Sequence, residues 1–227
     1  MKRSKILILG DIHFPYHKQE ALDAVLKAVS EMKEKPTAIV QIGDLYDQYG
    51  YSRYPKTMYV NPSGELAQAR NLAIKMWKDL HKLAPRADLH QILGNHDIRI
   101  AKMVSGKCPE VYEDIKEVTE KKYTFDHVNT IHDYRELLEI DGVLFTHGYL
   151  SKSGDHMKYQ NKSTVVGHSH VGGVVYQKVL GKVLWELNAG YLADEMSEPL
   201  YYRQTKTSKW TLGYGLIEDG QPRFVCL

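Results

Sequence analysis

Short aliphatic runs recur along the chain, each closing in or beside a glycine: 5–10 (KILILG), 37–43 (TAIVQIG), 88–94 (DLHQILG), 143–148 (VLFTHG) and 163–167 (STVVG). Near-continuous apolar runs of this length mark strands buried on both faces, so each predicts a strand leading into a loop. Between the first three, residues 19–33 and 64–83 change period, with Ala21, Val25, Ala28 and Met32 returning at helical spacing. Strands alternating with helices predict an α/β core with right-handed crossovers.

From about residue 135 the pattern turns to hairpins. LLEI and VLFT join at Asp141-Gly142, VVYQKV and VLWELN at Leu180-Gly181-Lys182, and LGYGLIE and RFVCL around Asp219-Gly220. Asp-Gly between apolar runs is a strong hairpin signal, so the second half is expected to be mostly antiparallel β. No linker, low-complexity tract or repeat interrupts the chain. One domain over residues 1–227 is expected, with surface insertions at 45–63 and 104–134, the latter holding a helix near 110–121.

Composition narrows the class. Of 227 residues, 43% are hydrophobic, enough for one sizeable core, and 30 Lys+Arg against 28 Asp+Glu leave a net charge of +2. Such a balance provides no overall field for polyanions, so nucleic-acid binding would need local clustering. Cys108 and Cys226 form no CxxC pair, which excludes a disulfide framework or zinc ribbon. The apolar run at Ile6–Leu9 is too short for a secretory segment, and no window approaches the ~18 apolar residues of a membrane span. A cytoplasmic protein with no membrane partner is expected.

The polar residues that break the pattern all follow predicted strands: Gly10-Asp11-Ile12-His13, Gly43-Asp44-Leu45-Tyr46-Asp47, Gly94-Asn95-His96-Asp97, His147-Gly148 and Gly167-His168-Ser169-His170. In α/β sheets these carboxyl ends form the ligand crevice, so the five loops should converge. Carboxylate and imidazole together suit Mn, Fe, Zn or Ni better than Ca or Mg alone. The side chains outnumber the ligands of one tetrahedral zinc and suit two ions about 3.5–4 Å apart. The glycines are expected to supply positive φ beside each ligand. Asp-x-His alone should occur by chance about 0.3 times in such a chain, but Gly-Asn-His-Asp only about 0.001 times. Gly154-Asp155, with no strand before it, reads as structural.

These motifs, in this order from about residue 5 to 190, resemble the signature of the calcineurin-like metallophosphoesterases: Asp-x-His, Gly-Asp-x-x-Asp, Gly-Asn-His-Asp/Glu, His, Gly-His-x-His. The resemblance implies a four-layer fold, two mixed β-sheets between helices, with a dinuclear metal centre at the sheet edge. It implies that Asp11, His13 and His170 hold one ion, that Asn95, His147 and His168 hold the other, and that Asp44 bridges them. Mn is expected first, with Fe, Zn, Ni or Mg as alternatives. It further implies that His96 faces the substrate, protonating the leaving oxygen or stabilising phosphoryl charge, and that Asp47 orients it. A hydroxide generated between the ions would attack phosphorus in line. Histidines 17, 81, 90, 127, 132 and 156 lie outside the signature, with His17 and His156 nearest to motifs.

The family's protein Ser/Thr phosphatases carry Asp-Arg-Gly after the second motif and Gly-Asn-His-Glu as the third. Here the chain reads Asp47-Gln48-Tyr49 and Gly-Asn-His-Asp, which is similar to the branch of nucleases, cyclic-nucleotide phosphodiesterases and small phage-type phosphoesterases. Tyr46 to Lys56 interleaves aromatics with cations, as does Tyr201 to Trp210, a composition suited to single-stranded nucleic acid. Tyr51 and Arg53 are therefore substrate-binding candidates. Arg99 is another, because guanidinium forks fit phosphate, although a surface ion pair would explain it equally well. A phosphodiesterase acting on DNA, RNA or nucleotides is expected; the alternatives are a phosphomonoesterase and a non-catalytic metal-binding scaffold.

Overall fold

Two mixed β-sheets packed face to face organise the computed structural model, which describes residues 4–56, 58–131, 136–150, 152–201 and 209–227. The first half supplies β1 (Lys5–Leu9), α1 (Gln19–Glu31), β2 (Ala38–Gln41), α2 (Pro62–Leu83), β3 (Asp88–Ile92), α3 (Arg99–Lys107), α4 (Tyr112–Glu120) and β4 (Val128–Ile131). The second supplies β5 (Leu138–Ile140), β6 (Val143–Phe145), α5 (Asp155–Gln160), β7 (Thr164–Val166), β8 (Gly173–Val179), β9 (Lys182–Asn188), α6 (Glu198–Tyr201), β10 (Gly213–Glu218) and β11 (Gln221–Cys226). One sheet runs β11-β10-β1-β2-β3-β4 and the other β5-β6-β7-β9-β8.

Alternation along each strand builds two cores. Leu7, Leu9, Ile39 and Leu89 face α1 and α2, whose Ala21, Leu22, Val25 and Val29, and Ala69, Ala73, Met76 and Leu80, recur at helical spacing. Ile6, Ile8, Ala38, Val40 and Ile92 face the other way and meet Val143, Phe145, Val165 and Leu187 between the sheets. α2 starts cleanly because Asn61 Oδ1 accepts from Gly64 N–H and Pro62 occupies the first turn. On the outer face of the second sheet α5 packs against β7 and β9, which makes the fourth layer thin. No described helix is long and apolar enough to cross a membrane.

The second half is mostly antiparallel β, as expected: β5–β6, β8–β9 and β10–β11 are hairpins and β10 runs antiparallel to β1, while β6–β7 and β7–β9 pair parallel. Two other expectations change. Residues 45–49 are buried rather than a surface insertion, because their backbone forms the loop under the site. The stretch 104–134 holds the end of α3, the edge strand β4 and, where a helix was expected, all of α4, and Tyr123 within it is fully buried. His132 and most of the second aromatic–cation cluster, residues 202–208, lie outside the described residues.

Candidate metal centre

Each loop of the site begins where a strand ends. β1 leads to Asp11 and His13, β2 to Asp44 and Asp47, β3 to Asn95 and His96, β6 to His147, and β7 to His168 and His170. Three of these strands belong to one sheet and two to the other, so the carboxyl edges of both sheets meet at this point.

The backbone there is unusual. Asp11, His13, Asp44, His168 and His170 have φ of 47°, 55°, 52°, 66° and 61°, a region sparsely used by residues with a side chain and typical of functional sites. Positive φ was expected of the glycines, and Gly43 and Gly148 take it at 101° and 92°, but most of the ligand candidates take it as well. Gly94 and Gly167 provide clearance instead: a Cβ would lie 2.2 Å from Asp44 Oδ1 at the first and 2.6 Å from Asp11 Oδ2 at the second.

Two sets of donors result. In one, His170 Nε2 lies 3.2 Å from Asp11 Oδ1 and 3.3 Å from His13 Nε2. In the other, Asn95 Oδ1 lies 3.0 Å from His147 Nε2 and 2.7 Å from His168 Nδ1. Asp44 Oδ2 faces both, 3.8 Å from His13 Nε2 and 3.4 Å from His147 Nε2.

Proton placement tests whether cations fit. His147 Nδ1 is 3.0 Å from the Ile42 carbonyl oxygen, which can only accept, so Nδ1 carries a proton and Nε2 is the nitrogen that faces the centre. His13 Nδ1, 2.8 Å from Asp47 Oδ2, likewise leaves Nε2 to face it. These nitrogens lie among carboxylate and amide oxygens in buried surroundings, an arrangement that calls for positive charge among them, whether a proton or a metal cation. Three groups have ligand atoms within 4.8 Å of one another: Asp11, His13 and His170; Asp44, His147 and His168; and His13, Asp44 and His96. Mixed nitrogen and oxygen sets of this kind fit divalent metals.

The titration behaviour agrees. Burial would raise the carboxyls, but His170 and His147 hold Asp11 below its ordinary range, and His147 and His96 hold Asp44 well below it. Burial would lower His147, yet Asp44 and Asp11 push it up to about 9. His13 and His168 fall, through burial first and then through the neighbouring His96 and His147. Buried carboxylates draw positive charge into this space.

A family model for calcineurin-like phosphoesterases matches residues 4–195. The chain belongs to that family. Among solved structures, a hypothetical protein from Pyrococcus horikoshii OT3 has a TM-score of 0.53 at 12% identity, covering 99% of this chain and 88% of that one. A metallophosphoesterase from Sphaerobacter thermophilus has a TM-score of 0.50 at 14% identity, covering 100% and 88%. Vacuolar protein sorting 29 from Cryptosporidium parvum has 0.48 at 14%, covering 99% and 97%. At these identities the likeness to the first two shows the fold. No curated protein sequence matches the chain.

In this calcineurin-like phosphoesterase, His96 stands beside the donor sets, with Nε2 3.9 Å from Asp44 Oδ2. Its Nδ1 is 3.3 Å from Asp47 Oδ2, the oxygen that also pairs with His13. Against burial, Asp44 and Asp47 raise the His96 pKa. Arg99 closes the group: Nη1 donates to the Asp47 carbonyl at 2.8 Å and to Oδ1 at 3.1 Å, and Nη2 lies 3.0 Å from His96 Nε2. Arg99 therefore belongs to the site, and its ion pair is an internal one.

Arg53 and Tyr51 are not brought to the donor sets. The exposed Arg53 guanidinium lies over its neighbour Tyr54, 5.2 Å from the ring centroid, and Tyr51 closes a tight turn through its N–H to Gln48 O. His17 engages Gln19 locally. Other contributors emerge only from the structure. Asp97 accepts from the N–H groups of Leu45, Tyr46 and Gly94, tying two site loops together, and burial beside Asp44 pushes it up to about 7. Gln48 donates to the Asp97 carbonyl. Trp210 packs edge-on to His170 with 4.4 Å between ring centroids, and Tyr191 stacks on the same imidazole at 5.4 Å. Asp97's place in the third motif was a signal for its role; for Gln48 the sequence showed only a departure from another branch.

Proposed function

We propose that this chain is a dinuclear-metal hydrolase of phosphate esters, and that its substrates are phosphodiesters of nucleic acid or nucleotides. The observation that carries the metal reading is Asp44 Oδ2, a buried carboxylate oxygen facing both donor sets. Two divalent cations, with Mn the first choice, would supply Lewis acidity toward a phosphoryl oxygen and lower the pKa of water to near neutrality.

The protein's own groups do the rest. Asp47 fixes the His96 ring, whose Nε2 lies beside Asp44 and Arg99; once released from Arg99 and protonated, that nitrogen can protonate a leaving oxygen or stabilise phosphoryl charge. Arg99, on the same imidazole, offers N–H donors to phosphoryl oxygens. The diester reading is supported by aromatic and cationic surface: Tyr54 and Tyr59 are 61% and 88% exposed, Arg53 lies on Tyr54, and Trp210 stands beside His170. Rings for bases and cations for phosphates suit a nucleic-acid strand.

The test is turnover by Mn²⁺-loaded protein of bis-p-nitrophenyl phosphate, p-nitrophenyl phosphate, and single- and double-stranded DNA, with Asp44→Ala as blank. Diester or DNA cleavage that the substitution abolishes is the expected result. Mono-ester turnover alone would retain the metal centre and overturn the diester reading. No turnover of any substrate would make the chain a metal-binding scaffold.

A further inference from the structure

His156 lies outside the signature, yet it is 3% exposed and reaches the loop that carries His147. Its Nε2 lies 3.1 Å from both the Tyr149 and the Leu150 backbone nitrogens. One imidazole nitrogen accepting two N–H groups must be unprotonated, so the proton is on Nδ1. That Nδ1 faces Glu186 Oε2 at 3.7 Å. Glu186, on β9, in turn accepts from the N–H groups of Gly154, His156 and Met157 at 2.6, 3.0 and 3.2 Å. Gly148 completes the fit: its φ is 92°, and a Cβ there would lie 3.2 Å from His156 Nε2.

We propose that His156, held by Glu186, is a positioning residue that fixes the loop after β6 so that His147 presents Nε2 to a metal ion. The upstream side of this loop is already secured, by Thr146 N–H to Val165 O and Gly167 N–H to His147 O. The downstream side turns away from the sheet at Gly148, where its N–H donates to Thr146 Oγ1 at 3.4 Å, and beyond it the two bonds to His156 restrain Tyr149 and Leu150. Glu186 anchors that restraint to β9, the strand beside β7, which carries His168 and His170. Outer partners that orient a ligand typically change metal affinity about 10–100-fold when removed. His147 belongs to one donor set only, so the effect should fall on one of two ions.

The inference rests on the metal-centre reading, and calorimetric titration of metal-free protein with Mn²⁺ separates the two. Wild type should bind two ions, and His147→Ala should identify which binding step depends on His147. His156→Ala should weaken that step about 10–100-fold and leave the other unchanged. His156→Gln, whose carbonyl oxygen can replace Nε2 as acceptor, should restore it, whereas the shorter His156→Asn should not. Equal weakening of both steps, or unchanged affinities with only a lower unfolding temperature, would overturn the proposal and make His156 a packing residue. Should His156→Ala not fold, the Gln and Asn variants decide: equal affinities in these two overturn it. Fewer than two ions on the wild type would instead overturn the metal-centre reading itself.

Discussion

Asp44 uses both carboxylate oxygens: Oδ1 accepts the His96 N–H at 2.8 Å, while Oδ2 faces the imidazoles. Its removal should therefore cost metal, whereas His96, outside both donor sets, should cost only rate. His96→Ala is expected to lower turnover about 10²–10⁴-fold with metal content nearly intact, and Asp44→Ala to lose metal. Metal analysis beside initial rates checks this, and equal metal loss in both would sink the division of roles. Gly94→Ala should destabilise by about 1–3 kcal/mol, because its Cβ would meet Asp44 backbone nitrogen at 2.3 Å; denaturant unfolding reads that. At this scale the motifs made every member of the two donor sets legible. They did not show which imidazole nitrogen faces the centre, Nε2 for His147 and His170 but Nδ1 for His168. That choice depends on what touches the other side of each ring.

At the scale of elements, α2 reaches back to the site through Glu65, which accepts from Tyr49 N–H at 2.6 Å and Gly50 N–H at 2.7 Å. Glu65→Ala would leave two inward-facing donors unpaired and should destabilise by about 1–3 kcal/mol. If the Tyr–Arg turn contacts substrate, KM for DNA should rise more than KM for a small diester; equal changes would remove that turn from the substrate surface. Burial would raise Glu186, but His156 and the N–H groups of Gly154 and Met157 override it and hold its pKa below the ordinary value. A depressed carboxyl stabilises the fold above its unfolded pKa and loses that contribution as pH falls through the folded one. Glu186→Gln should accordingly flatten the acid limb of stability against pH, below about pH 4.5, and an unchanged limb would rule Glu186 out as its source. The strong aliphatic runs revealed their strands, and helical spacing revealed α1 and α2. α3 and β4 were missed because each is short, α3 having nine residues of which none is buried and β4 four of which none is fully buried. Hairpin turns showed which strands pair locally but not that α5 connects β6 to β7 in parallel.

For the whole molecule, the C-terminal hairpin lies outside the residues matched by the family model, yet β10 occupies the place beside β1. It buries Leu216 and Ile217 on opposite faces, one in each core. Ending the chain at residue 208 would turn β1 into an unpaired edge and expose both cores. Loss of cooperative unfolding by circular dichroism is expected, and a cooperative, soluble truncate would show the hairpin to be dispensable. The sequence by itself determined the strands that lead into the site, the chemistry at their ends and the family, because these reside in local composition and in short motifs whose chance occurrence is small. Only the tertiary structure decided which sheet each strand joins, which oxygen faces both donor sets, and that Asp97, Glu65 and Glu186 brace the site through bonds to residues 15 to 52 positions away, with His156 held among them. Those contacts arise from packing between segments distant in the chain, and no local pattern encodes them.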